Sequence, residues 1–404
     1  MAVGQNQFPK MNLVPGIKLG TACAGIKQIE RDDLLIVEMA EGSTCTGVFT
    51  QNAFCAAPVV VARENLSNQP RWLLVNSGNA NAGTGNQGLQ DTQSTCAGLA
   101  SAVKGSKEQV LPFSTGVIGE TLPVAKINNT LPVAVATLAE DNWDKAAKAI
   151  MTTDTFAKGA TRIIKTGGES ITLSGISKGA GMIQPNMATM LAFIATDAKI
   201  APLLLHACLA EAVEKSFNRI TVDGDTSTND ACILMASGLS EAVEIKKDST
   251  GYRDFTEALD SVCQSLAEAI IRDGEGATKL IRIIVEQAQD EAEAVQVAKT
   301  VAHSPLVKTA FFASDPNWGR ILAAVGRSGI ENMELDKINI YLGDVCIVQN
   351  GGRAESYTEE AGQHVMNQEE IIITITLGRG EAREQVLTCD FSYDYVRINA
   401  EYRT

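Results

Sequence analysis

The chain has 404 residues, of which 45% are apolar and 20% charged, a composition typical of a soluble globular protein with two or three domains. It carries 34 Lys and Arg against 48 Asp and Glu, a net charge of −14, and contains no run of five basic residues. This acidic balance argues against nucleic-acid and anionic-membrane partners. No apolar run approaches the roughly 20 residues of a membrane helix, and no signal-peptide core begins the chain, so we expect a cytoplasmic protein.

Taken in chain order, the first predicted strands are 33–39, 47–50, 58–62 and 72–75, followed by a helix over 89–103. Between the last strand and this helix lies the loop NSGNANAGTG, residues 76–85. Two interpretations of the loop remain open, a structural multi-turn loop and the polar wall of a pocket. A strand from Val110 then ends in Ser-Thr-Gly, where Gly116 permits close approach of another backbone.

The middle of the chain is predicted to form two helical segments within 127–148 and a hairpin over 161–173 turned at Gly167-Gly168. Between them, the threonines around Asp154 indicate a helix cap or a strand edge. A helix over 202–217 and a strand ending in Asp223-Gly224-Asp225 follow. The acidic turn lacks the distal glutamate of a calcium loop, so a structural turn beside the active site is favoured over a metal site.

In the last third, helices are predicted over 252–272, 291–302 and 320–325, and strands over 280–285, 338–341, 345–348, 371–377 and 385–389. Glu275 stands between two glycines and is interpreted as an exposed acid on a tight loop. Asp315-Pro316-Asn317 indicates a turn. Composition alone would allow the short, polar tail to fray.

Cysteine and histidine spacing gives no sign of a metal centre. The nine cysteines form no C-x-x-C pair, and the three histidines show no zinc-binding spacing. We therefore expect neither a disulfide framework nor a metal site.

The stretch KGAGMIQPNMATMLAFIATD, residues 178–197, joins a Gly- and Pro-containing loop to an apolar run over 190–196 that predicts a buried strand. Thr189 stands at the junction. On spacing alone, a threonine at a strand start more often packs than reacts. A strand-borne nucleophile, fixed by packing behind and reached by a loop in front, would nevertheless occupy such a position.

The motif KGAGMIQPNMATML resembles the self-cleavage segment of the ornithine acetyltransferase (ArgJ) family. Further landmarks of the resemblance are NSGNANAGTG, FSTGVIG, MTTDT, TVDGDTSTND, RDGEGATK and SPLVKTAFFASDPNWGRI. The resemblance implies cleavage between Ala188 and Thr189, with Thr189 as nucleophile. The freed α-amine, with an ordinary pKa of about 7.7–8.0, would act as the base. It further implies an oxyanion hole at Thr115 and Gly116. The implied substrate-binding residues are Thr152, Lys178, Thr189, Glu275, Asn399 and Thr404.

The family's activity implies transfer of an acetyl group from N2-acetylornithine to L-glutamate through an acetyl-threonine ester. No metal or organic cofactor is implied, and acetyl-CoA is a candidate second donor. The implied fold is α/β, with layered mixed sheets and helices and a smaller C-terminal α+β domain. We expect an N-terminal domain over 1–200, a middle region over 201–285 and a C-terminal domain over 286–404, with the two cleavage fragments assembled as α2β2.

Two other functions remain alternatives. A self-processing amidase or aminopeptidase would use the same threonine with water in place of glutamate. A non-enzymatic protein would use the Gly- and Asn-rich loops to bind a small molecule. A single full-length band on a denaturing gel, for wild type and Thr189→Ala alike, would favour the binding protein, whereas transfer without net hydrolysis separates transferase from amidase.

Overall fold

The computed structural model describes residues 2–4, 7–26, 30–183 and 190–401. It divides into an N-terminal unit, Gln7–Asn218 with Asp225–Ile270, and a C-terminal unit, Met1–Asn6 with Arg219–Gly224 and Ile271–Thr404. The boundaries expected after residues 200 and 285 differ from this division, because most of the expected middle region belongs to the N-terminal unit. Among the described residues, every helix is too short or too polar to span a bilayer.

The N-terminal unit alternates strands and helices. Its strands are β1 (Ile17–Ala22), β2 (Leu34–Met39), β3 (Thr44–Phe49), β4 (Trp72–Asn79), β5 (Val110–Val117), β6 (Lys158–Thr166), β7 (Glu169–Lys178), β8 (Leu191–Thr196) and β9 (Ala231–Ala236). Its helices are α1 (Ala57–Asn65), α2 (Gly85–Val103), α3 (Val124–Ala136), α4 (Trp143–Ala149), α5 (Pro202–Glu214) and α6 (Thr250–Arg272), the last of which runs two residues beyond the unit.

The strands form two mixed sheets. Sheet A has the order β1-β2-β4-β5, and sheet B has the order β3-β9-β8-β7-β6. The β4–β5 and β8–β9 pairs are parallel, and the other pairs are antiparallel. Parallel neighbours need a crossover, which explains why helices separate these strands in the sequence.

The two sheets pack face to face. Phe113 of sheet A meets Phe193 of sheet B edge to face, with ring centroids 5.2 Å apart. Alternate residues of β2 divide between two cores: Leu35 and Val37 pack towards sheet B, whereas Leu34 and Ile36 pack under α2 and α3. Burial on both faces explains why β2 reads as a continuous apolar run rather than an alternating one.

The predicted hairpin and the predicted buried strand are both confirmed. Gly167 and Gly168 have φ of +64° and +93°, as a two-residue hairpin turn between β6 and β7 requires. β8 begins at Leu191, which pairs with Lys178 at the end of β7. These two residues flank the connection that contains Ala188 and Thr189, and residues 184–189 lie outside the described residues.

The C-terminal unit is an α+β structure built on one sheet of order β13-β12-β11-β14-β10-β15. Its strands are β10 (Leu280–Ala288), β11 (Asn339–Leu342), β12 (Val345–Gln349), β13 (Gly352–Arg353), β14 (Glu370–Thr376) and β15 (Ala382–Cys389). Its helices are α7 (Glu291–Ala302), α8 (Pro305–Phe312), α9 (Trp318–Gly326), α10 (Glu359–Met366) and α11 (Tyr393–Ala400). Buried aliphatic residues of the sheet and of α7 to α10 form its core.

Several elements differ from expectation. The predicted strand 58–62 is wrong, because these residues belong to α1: Pro58 lies in its first turn, where a missing N–H costs nothing, and packing outweighs the β-branched composition. The predicted strand before Asp223 is also wrong, since Ile220 makes only an isolated bridge to Leu387. The polar tail, which composition alone would allow to fray, contains α11, which Ser392 caps through its side-chain oxygen.

Candidate active site

The predicted site residues fall in both units. Thr115, Gly116, Thr152 and Lys178 lie in the N-terminal unit, and Glu275 and Asn399 lie in the C-terminal unit. The cleavage residues Ala188 and Thr189 and the terminal Thr404 lie outside the described residues. We call Thr115, Gly116, Lys178 and Asp154 the strand-end cluster, and Glu275, Asn399 and Tyr395 the tail cluster.

In the strand-end cluster, Thr115 and Gly116 occupy the partly exposed end of β5, where Gly116 aligns with Gly78 of β4. The residue at this position must be glycine for two reasons. Its φ is +135°, and a Cβ there would lie 2.2 Å from the carbonyl carbon of Gly78. The close approach fixes the backbone at the strand end, where its peptide groups can face a ligand.

Lys178 connects sheet B to this strand end. It is the last residue of β7, only 6% exposed, and its ammonium donates to Thr115 Oγ1 at 3.1 Å. The structure therefore brings together two residues that the sequence separates by 63 positions. One was assigned to the oxyanion hole and the other to substrate binding.

Asp154 lies beneath this contact and is buried. Its Oδ1 accepts from Lys158 Nζ at 2.6 Å and from the Gly179 N–H at 2.7 Å, while its Oδ2 accepts from the Thr152 N–H at 2.9 Å. Burial alone would raise the pKa of Asp154. The charges of Lys158 and Lys178, with the hydrogen bonds from Lys158 and Gly179, outweigh burial and hold that pKa well below its usual range.

The asparagine-rich loop supports the same strand end. Asn76 Oδ1 accepts from Ser114 Oγ at 2.6 Å, and the Asn76 amide donates to the Asn79 carbonyl. Asn81 donates to the Gly88 carbonyl and to Thr92 Oγ1. These asparagines are at most 4% exposed. Their amides serve the local backbone, which favours the structural interpretation of the loop.

Asn229 adds a second support. Its amide donates to the Ala80 carbonyl at 2.6 Å and to the Ser114 carbonyl at 2.9 Å, immediately before Thr115. Asn229 belongs to the TVDGDTSTND motif, which thus braces the strand that carries Thr115 and Gly116. Within the described part of the chain, no group of three or more His, Cys, Asp or Glu side chains is arranged to hold a metal ion.

In the tail cluster, Asn399 Nδ2 donates to Glu275 Oε2 at 2.7 Å, so the structure brings these two predicted residues together. Glu275 is 7% exposed, and the expectation of an exposed turn acid is therefore wrong. The following residue, Gly276, has φ +69°, and a Cβ there would lie 2.6 Å from both Ser392 Oγ and Tyr395 N. The first residues of α11 therefore pack directly against the loop that contains Glu275.

Sequence reasoning did not identify Asp154 and Asn229 as supports of the site. The threonines around Asp154 indicate only a cap or a strand edge, and the segment of Asn229 predicts a turn beside the active site without singling out this residue. Their bonds to Gly179 and Ser114 span 25 and 115 residues. Local spacing carries no signal for such contacts. The one available hint was an acid two residues from a predicted substrate-binding threonine.

Comparison with known proteins agrees with this geometry. A family model described as "ArgJ family" matches residues 18–404. The chain is 61% identical to the arginine biosynthesis bifunctional protein ArgJ of Methylococcus capsulatus, over 97% of this chain and 96% of that protein. It is 53% identical to the ArgJ protein of Pseudomonas fluorescens over the full length of both.

Among solved structures, the ArgJ protein of Bacillus halodurans is similar with a TM-score of 0.51 and 42% identity, covering 52% of this chain and 99% of that chain. The motifs, the strand-end geometry and the near-complete match all point the same way. The chain belongs to the ArgJ family.

Proposed function

We propose that the protein is a bifunctional acetyltransferase of arginine biosynthesis, which transfers an acetyl group from N2-acetylornithine to L-glutamate. Family membership supports the reaction class, since the curated relatives are named arginine biosynthesis bifunctional proteins. The observation that carries the proposal is the bond from Lys178 to Thr115 Oγ1, beside the paired strands that flank the Thr189 connection.

Self-cleavage is the first proposed step. Thr189 Oγ attacks the Ala188 carbonyl carbon, the C–N bond breaks, and the amide becomes an ester. Water then hydrolyses the ester to give an Ala188 carboxylate and a Thr189 α-amine.

Turnover uses the same oxygen. The Thr189 α-amine takes the hydroxyl proton, Oγ attacks the acetyl carbonyl of N2-acetylornithine, and ornithine leaves with that proton. The α-amine of glutamate then attacks the acetyl ester, forming N-acetylglutamate and restoring the Thr189 hydroxyl. Thr115 and Gly116 would stabilise both tetrahedral intermediates, a contribution worth about 10²–10³ in rate per donor.

The remaining groups are proposed to hold the amino-acid part of the substrates. Glu275, oriented by Asn399, offers a carboxylate to a substrate ammonium, and Lys178 offers an ammonium to a carboxylate. Thr152 and Thr404 complete the proposed set. No organic cofactor is required, and acetyl-CoA is proposed as a second acetyl donor to glutamate. The cytoplasmic location and the α2β2 assembly of fragments expected from the sequence belong to the same proposal.

An intact-mass measurement combined with an acetylation assay tests this function. Wild type should show two fragments divided before Thr189 and should transfer labelled acetyl from N2-acetylornithine to glutamate without net hydrolysis. Thr189→Ala should remain one chain and be inactive, whereas the matched Thr189→Ser should still cut and retain some transfer. Hydrolysis without transfer would indicate the amidase, and an uncut wild type without activity would indicate the binding protein. A parallel assay with acetyl-CoA reports the second donor.

A further inference from the structure

We propose that Asp154 is a positioning residue that acts through Lys178 to aim the Thr115 hydroxyl at the reacting acyl oxygen. The inference rests on the proposed acetyl transfer. It adds a role for the buried Asp154 and states where the hydroxyl hydrogen of Thr115 points. It gives Lys178 a task in the oxyanion hole in addition to substrate binding.

The first step concerns the direction of the hydrogen bond. An ammonium group has only donors, so in the 3.1 Å contact Lys178 Nζ donates and Thr115 Oγ1 accepts. The hydrogen of Thr115 must then point to another acceptor. Since the hydroxyl already accepts a charge-assisted bond, it becomes a stronger donor itself. A directed, polarised O–H at a partly exposed strand end suits a developing oxyanion.

The second step concerns what fixes Lys178. The peptide that follows it is held by Asp154, whose Oδ1 accepts from the Gly179 N–H at 2.7 Å. Gly179 has φ +152°, a conformation that other residues rarely adopt, and the bond to Asp154 holds its N–H in this orientation. The same carboxylate holds the Thr152 N–H at 2.9 Å. Asp154 therefore anchors the backbone directly after Lys178 and also the backbone at Thr152.

The third step concerns charge. Lys158 and Lys178 are 1% and 6% exposed, and Asp154 has no exposed side-chain surface. A cation buried this deeply needs a nearby anion, because removing one partner of a buried pair leaves the other uncompensated. The positive charges of both Lys158 and Lys178 lower the pKa of Asp154. The carboxylate therefore interacts electrostatically with both lysines.

A double-mutant cycle in the cut, full-length protein tests this coupling, with rates referred to the cleaved fraction by intact mass. Asp154→Asn removes the charge, and Thr115→Val removes the hydroxyl that the charge is proposed to aim. We expect each single variant to lower kcat by about 10²-fold, as loss of one oriented oxyanion donor does. The double variant should be lowered by about the same 10²-fold, because both changes act on one interaction.

Independent effects would instead multiply to about 10⁴-fold, and that result would overturn the proposal. Glu293→Gln is the matched control, since it also neutralises a largely buried acid, whose Oε1 accepts from Arg379 Nε at 2.9 Å in the C-terminal unit. It should leave kcat within about 2-fold of wild type, the additive scatter expected of an uncoupled site.

If Asp154→Asn does not fold, Asp154→Asn with Lys158→Met removes both charges of the directly bonded pair and should restore most of the lost stability, because Lys178 still donates to Thr115 Oγ1. That variant should stay slow, and a wild-type kcat in it would contradict the proposal. A wild type without acetyl transfer would contradict the proposed function itself. An active wild type whose Asp154→Asn variant is equally fast would contradict this inference alone.

Discussion

The strand-end cluster and the tail cluster are built in opposite ways. In the first, the partly exposed end of β5 and the buried end of β7 are joined by the bond from Lys178 to Thr115, and a buried acid holds the backbone after Lys178. In the second, a buried Glu275 meets an exposed Asn399 on α11, a helix in which no residue is buried. The first arrangement is preformed by the sheets. The second depends on how firmly a terminal helix stays in place.

This difference suits different tasks. Stabilising a transition state requires donors that do not reorganise during the reaction, and strand ends braced by Asn76 and Asn229 would supply them in the proposed oxyanion hole. Accepting two amino acids in turn, by contrast, tolerates a less rigid region, because a helix with few buried contacts opens at low free-energy cost. We therefore expect strand-end variants to change kcat and tail variants to change KM.

Gly116→Ala should have the largest effect. The added Cβ would lie 2.2 Å from the Gly78 carbonyl carbon, so β4 and β5 must separate at their ends. We expect kcat to fall by about 10²–10³-fold, as with loss of an oxyanion donor. Steady-state assays would measure the loss, and Gly119→Ala, which meets no atom within 4 Å but shares a positive φ of +85°, is the control for backbone strain. Equal losses in both would contradict the close-approach argument.

Glu275→Gln should have a smaller effect of a different kind. The amide keeps the shape of the side chain and its contact with Asn399 but loses the charge offered to a substrate ammonium. We expect KM for N2-acetylornithine to rise about 10-fold, the value of a charge-assisted bond, with kcat changed less than about 3-fold. Asn399→Ala should raise KM less. A fall in kcat at constant KM would place Glu275 in the chemical step and remove the contrast between the clusters.

The smallest expected effect concerns stability at acidic pH, where His303 and Asp154 should lose their contributions over different pH ranges. Burial and the nearby positive charges of Lys308, Lys299 and Arg327 lower the pKa of His303, in the C-terminal unit, to about 4. Since an unfolded histidine titrates near 6.5, this unit should lose stability as the pH falls from about 6.5 to 4. The pKa of Asp154 is also lowered, but from an unfolded value of about 3.9, so its contribution should be lost only below about pH 4.

Thermal unfolding of wild type and His303→Gln at pH 7 and pH 5 tests whether protonation of His303 causes this loss of stability. The decrease in Tm between the two pH values should be smaller in the variant, by about 2–4 °C for each kcal/mol recovered. Asp154→Asn should leave that decrease unchanged. If the variant and wild type lost the same Tm, titration of His303 would not be the cause.

The sequence predicted the strands that flank Thr189 better than the long-range contacts that support the strand-end cluster. The apolar run after Thr189 and the glycine pair of the hairpin are local signals, and the strands they indicate are present. The strand predicted over 58–62 is a helix, because its β-branched residues also fit a buried helix face. The expectation that Glu275 is exposed was wrong, because its burial depends on α11, which lies more than a hundred residues later in the chain. Long-range packing decided each of the latter cases.

The strand order of sheet B has a consequence for how the cut molecule would respond to dilution. Cleavage before Thr189 would leave β3, β6 and β7 on one fragment and β8 and β9 on the other. Because the order is β3-β9-β8-β7-β6, the second fragment's strands are inserted between those of the first, with six paired residues along each of two seams. Neither fragment could leave without opening both seams and exposing unpaired strand edges. Dissociation and unfolding would then be the same event, and the fragments would behave as one obligate component at any working concentration.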